Sequence, residues 1–98
     1  RYVEVDNLAQ KQKTVFVFEC KFKKESAAIA QLKIIYQSML LFKSNYIAAG
    51  AFNYYDKVNL FFYSFKKAVI SEYTARGDKV WSKKFNNSNE LAEILRNL

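Results

Sequence analysis

Alternation of apolar and polar positions opens the chain. In residues 2–9, Val3 and Val5 fall on one side and Tyr2, Glu4, Asp6 and Leu8 on the other, the period-two pattern of a strand. Residues 7–13 carry turn or loop chemistry. Residues 14–22 (TVFVFECKF) are rich in β-branched and aromatic side chains and predict a second strand. Its alternation sets Phe16, Phe18, Cys20 and Phe22 on one face and Val15, Val17, Glu19 and Lys21 on the other. From Ser26, an expected N-cap, to residue 43 the period lengthens: Ile29, Leu32, Ile35, Tyr36, Met39, Leu40 and Phe42 recur at helical spacing. Residues 45–52 (NYIAAGAF) read as a short buried strand in which Gly50 admits close approach of another backbone. Residues 58–65 predict the next strand, and 68–74 with 79–82 a hairpin around Arg76-Gly77-Asp78. Ser88 is expected to cap a final amphipathic helix carrying Leu91, Ile94, Leu95 and Leu98, with Glu90 and Glu93 near its positive end. With the last hairpin as one unit, the order is β-β-α-β-β-β-α, an α/β fold with a mixed β-sheet and flanking helices. The helix over 26–43 is long enough to cross from the second strand to a parallel third, by a right-handed connection.

Composition narrows what such a fold does. Ninety-eight residues, half of them hydrophobic, make one domain with a packed core. The missing Met at position 1 leads us to expect an upstream segment. Sixteen basic residues against nine acids give a net charge of +7, which suits a polyanionic partner because each neutralised phosphate releases a counterion. A single cysteine forms no internal disulfide, so a reducing, cytoplasmic setting is expected. Without His or a second Cys, zinc and haem are disfavoured; carboxylates would have to hold any metal, which points to Mg²⁺ or Mn²⁺. No run of apolar residues is long enough to predict a transmembrane helix.

The candidate chemistry lies at Asp6 and, after a gap of twelve residues, Glu19-Cys20-Lys21. Glu19 and Lys21 are two apart on a strand and so project from one face. If residues 2–9 and 14–22 pair as a hairpin around Lys11 and Gln12, even positions of the first strand share a face with odd positions of the second, and Asp6 joins them. A slip of one residue would send Asp6 to the other side. Two carboxylates and an amine on one face suit phosphodiester hydrolysis. The carboxylates bind a divalent cation, the backbone carbonyl of Cys20 is a natural further ligand, and the ammonium stabilises charge developing on phosphorus. The thiol would then point away among the phenylalanines. The competing reading has Glu19 and Lys21 marking the solvated end of an edge strand and pairing with each other.

The segment VEVD at 3–6, a hairpin, VFVFECKF at 15–22 and a following helix with Gln31 in its first turns resemble the PD-(D/E)xK nuclease superfamily. The resemblance implies a restriction endonuclease-like core and a Mg²⁺-dependent deoxyribonuclease. Asp6 and Glu19 would bind the metal, Lys21 would assist catalysis and Gln31 would lie beside the site. Its motif covers the first half of the chain; the second half agrees in the order of elements.

Lys23 and Lys24 are candidates for phosphates flanking the scissile bond, and Glu4 for a further acid. Most of the aromatic cluster over 52–65 reads as core, with Tyr54 and Tyr55 as possible surface contacts. Trp81 among Lys79, Lys83 and Lys84 reads as a strand-end core residue or a stacking platform. Two further functions compete: a catalytically silent nuclease-fold module that binds nucleic acid or docks onto an ATPase or helicase, and an unrelated α/β interaction domain. A homodimer or a second domain is compatible with so small a chain.

Overall fold

The computed structural model describes residues 7–20 and 24–98. Strands β1 (Asn7–Lys11) and β2 (Thr14–Cys20) form an antiparallel hairpin closed by Gln12 and Lys13, with Gln12 at a φ of 54°. Residues 7–9 are strand as the alternation predicts, and the strand runs on through residues 10 and 11, expected as loop. Helices α1 (Glu25–Leu41) and α2 (Lys43–Ala48) carry the chain to β3 (Lys57–Ser64), which lies parallel to β2 with Leu60 opposite Val17. Strands β4 (Val69–Tyr73) and β5 (Lys79–Lys84) then add in antiparallel fashion, and α3 (Ser88–Arg96) follows. The sheet order is β1-β2-β3-β4-β5, so the parallel step from β2 to β3 is the single crossover among the described strands.

Two helices cover the two faces. The pairing of Val17 with Leu60, and of Leu60 with Tyr73, sets these side chains on one face. There they pack with Val15 and Val58 against Ala28, Leu32, Ile35 and Met39 of α1. On the opposite face, Ile70, Phe85 and Leu91 form a second cluster with Tyr63, Trp81, Ile94 and Leu95. The Phe18 and Phe61 rings stack there at 5.2 Å. Val15 and Val17 are fully buried whereas Phe16 and Phe18 are half-buried, so the deeper core lies on the α1 side.

The segment over 45–52 is helix α2 and its terminus rather than a strand. Phe42 and Tyr46 stand four apart and touch ring to ring at 6.3 Å, and the Ser38 and Tyr46 hydroxyls bond at 2.8 Å, contacts that a strand would break. Gly50, at a φ of 77°, ends the helix. Its N–H donates to the Ile47 carbonyl and that of Ala51 to the Tyr46 carbonyl, the paired bonds of a Schellman motif. A Cβ on Gly50 would meet nothing within 4 Å, so close backbone approach is not its role.

The helix starts also move. Lys24 rather than Ser26 is the N-cap of α1, without a side-chain bond. Asn87 rather than Ser88 caps α3, its side-chain oxygen accepting from the Glu90 N–H at 2.9 Å. Tyr55, placed by sequence at the surface, is buried with its hydroxyl on the Met39 carbonyl, while Phe65, grouped with the core, is 55% exposed. Tyr54 is exposed as expected, with the Lys43 ammonium 4.4 Å from its ring centroid.

Candidate functional site

Glu19 is the last but one residue of β2, on the face that α1 covers. It is 2% exposed and follows Val15 and Val17 along the same side of the strand. β2 lies between β1 and β3, so Glu19 does not mark the solvated end of an edge strand. Among the described residues it is the one buried acid. Its lateral neighbour on β3 is Phe62, and Ser71 of β4 and Ser82 of β5 continue that row across the sheet.

The expected parity of the hairpin holds over the described pairs. Leu8 stands opposite Val17 and Gln10 opposite Val15, so even positions of the first strand share a face with odd positions of the second. Asp6, Lys21 and Lys23, and also Glu4, lie outside the described residues. Cys20 falls on the opposite face to Glu19 by alternation, with Phe16 and Phe18, and is half-buried. Gln31 is half-buried on α1, and Lys24 is exposed at the start of that helix. The described residues thus place Glu19 on β2 and Gln31 on the helix that packs over it.

A carboxylate and a backbone carbonyl are hard oxygen donors of the kind Mg²⁺ takes. Among the described residues no three of His, Cys, Asp and Glu come together as metal ligands.

A second polar cluster escaped the sequence reading. Glu25, the first residue of α1, accepts a hydrogen bond from the Tyr73 hydroxyl at 2.5 Å and pairs with the Lys79 ammonium at 3.0 Å. The hydroxyl bond and the lysine hold the Glu25 carboxyl below its usual range. Burial, reinforced by the bond to Glu25, pushes the Tyr73 hydroxyl well above the ordinary tyrosine value. These residues stand 48 or more positions apart or on separate strands, and no local spacing joins them. On β5, the Trp81 indole N–H donates to Glu72 at 2.7 Å and the Lys83 ammonium sits 6.0 Å from its ring centroid. Trp81 is half-buried against the second cluster.

Comparison of the chain with protein-family models, curated proteins and solved structures finds no match. Among the described residues no helix is long and apolar enough to cross a membrane.

Proposed function

We propose that the chain is a metal-dependent nuclease that hydrolyses phosphodiester bonds in DNA on the restriction endonuclease-like pattern. The observation that carries this reading is Glu19, a carboxylate kept at 2% exposure in a strand whose other residues on that face are valines. Taking a carboxylate out of water costs several kcal/mol even after relaxation, and buried acids concentrate where chemistry is done. Support also comes from the connection β2-α1-α2-β3, which sets a parallel strand beside Glu19 and a helix bearing Gln31 above it. The even-to-odd parity of the hairpin over its described pairs is the one this reading requires.

Asp6, Glu19 and the Cys20 carbonyl are the groups that would hold Mg²⁺ or Mn²⁺, which when bound polarises a phosphoryl oxygen and acidifies a water. Lys21 stabilises the charge that develops on the non-bridging oxygens. Gln31 donates to a phosphate or to the attacking water and orients it. Lys23 and Lys24 neutralise the phosphates on either side of the scissile bond.

The test incubates the chain with supercoiled and linear DNA and Mg²⁺ or Mn²⁺, beside Lys21→Ala and Glu19→Gln. We expect metal-dependent cleavage by the parent and none by either variant while each keeps the parent far-ultraviolet spectrum. Cleavage that survives Glu19→Gln, or a parent that does not cut, would remove the reading.

One observation favours a second reading, a module that binds nucleic acid without cutting it. Lys66 and Lys67 in the β3–β4 turn and Lys79, Lys83 and Lys84 on β5 are all exposed, a basic margin at one side of the sheet. Salt-sensitive DNA binding without cleavage is its expected result.

A further inference from the structure

The face of the sheet that α1 covers changes character towards β5. Beneath the helix it is apolar, with Val17, Leu60 and Tyr73 in successive strands; one row further along it reads Glu19, Phe62, Ser71, Ser82, and the next row holds Ser64, Val69 and Lys84. Above these serines lies a groove of about 210 Å³, lined by Phe62, Ser64, Ser71 and Ser82 and walled by Lys67, Lys79 and Glu25.

We propose that this groove, which spans β3 to β5, seats a phosphate of a nucleic-acid backbone. The proposal deepens the nucleic-acid reading given above but does not depend on cleavage. Adjacent strands are spaced about 4.8 Å apart, so a chain crossing from Glu19 to Ser82 passes over about 14 Å of sheet, room for more than one nucleotide.

The floor carries three hydroxyls beside Phe62 and Val69, in a place where apolar side chains alone would be cheaper. Ser71 is 2% and Ser64 8% exposed, so these are not residues of a solvated margin. Three small side chains keep open a space that valines or leucines would close. The Ser71 and Ser82 hydroxyls bond to each other at 2.9 Å, and the Ser82 hydroxyl stands on the exposed side of that pair. The Ser64 oxygen accepts from the Lys67 N–H at 3.2 Å, which fixes the turn carrying Lys67 against the floor. On the wall, the charge of Glu25 is met by Lys79 and by the Tyr73 hydroxyl, so Lys67 leaves the groove net positive. Lys84 adds a further cation on the same face, opposite Val69. Hydroxyl donors below and ammonium groups at the side are the donor set a phosphodiester takes.

The experiment measures binding of a short labelled DNA duplex to the full chain by fluorescence anisotropy in EDTA, where cutting is suppressed. The variants are Lys67→Ala, Ser82→Val, which fills the groove from the exposed strand β5 without a change of charge, and Lys57→Ala, which removes an equal charge from the opposite end of β3. Lys67→Ala and Ser82→Val are each expected to weaken binding about three- to tenfold, and Lys57→Ala by less than about twofold. Equal losses in Lys57→Ala and Lys67→Ala would mean diffuse charge and overturn the groove, as would parent-like binding by Ser82→Val. A chain that cuts DNA but fails this comparison loses the groove alone; one that passes it but never cuts keeps the groove and loses the nuclease.

Discussion

At the scale of single residues, Glu19 on β2 and Glu25 at the start of α1 differ in exposure. Glu19 is enclosed; Glu25 is partly open, and the Tyr73 hydroxyl and the Lys79 ammonium bind it. Because the folded chain holds the Glu25 carboxyl below its ordinary value of 4.5, the unfolded chain takes up that proton first as pH falls. The contribution is therefore fully present above 4.5 and is lost as the medium becomes more acidic through the folded value. Glu25 is 38% exposed, and solvent screening keeps this contribution below about 1 kcal/mol. Urea denaturation across a pH series checks it: Tyr73→Phe is expected to flatten the acid limb and to cost about 1 kcal/mol at neutral pH. A limb unchanged by the substitution would place the acid sensitivity elsewhere. The side of β2 on which Glu19 lies was legible in the sequence, because strand alternation with Val15 and Val17 admits no other. The Glu25 cluster was not, since its members meet only once β4 and β5 are folded against the start of α1.

At the scale of elements, strands with alternating β-branched and aromatic residues read well, and the ambiguous segment over 45–52 read badly. Tyr46, Ile47 and Phe52 favour a strand by type, but the spacing of Phe42 and Tyr46 and the glycine three residues after Ile47 are helix signals. Residue type suggested one period and spacing another, and packing on α1 decided for the helix. The two glycines sharpen the point, since both have positive φ but only one is crowded. A Cβ on Gly77, at a φ of 93°, would stand 2.9 Å from the Ile29 side chain of α1, whereas Gly50 faces open space. Gly77→Ala is expected to cost about 2–3 kcal/mol, and Gly50→Ala about 1 kcal/mol from backbone strain alone. Equal costs in urea denaturation would mean that the turn between β4 and β5 does not rest on α1. Asn87→Ala should cost about 1 kcal/mol through the loss of the α3 cap, with Asn87→Ser close to neutral.

At the scale of the whole molecule, the described residues form a five-stranded mixed sheet with α1 packed on one face and α3 on the other, and the chain's net charge of +7 is gathered in part along β5 and the β3–β4 turn. Mixed sheet and flanking helices were legible from the order of periods; the sequential strand order was not, because nothing in a strand's own sequence names its neighbour. If the basic margin and the groove meet DNA together, three or four phosphates are neutralised. The logarithm of the binding constant should then fall with the logarithm of salt with a slope of about −3. A slope near zero would separate the charge from DNA binding altogether.

In the proposed reading Glu19 is buried for chemistry rather than for stability. Glutamine keeps its volume and its capacity to hydrogen-bond, so Glu19→Gln is expected to alter the urea midpoint by less than about 1.5 kcal/mol equivalent. The deciding measurement is cleavage of supercoiled DNA in Mg²⁺ by the parent and by Glu19→Gln at equal folded concentration. We expect cleavage by the parent and none by the variant. Equal cleavage by the two, or a parent that leaves the DNA intact, would contradict the reading.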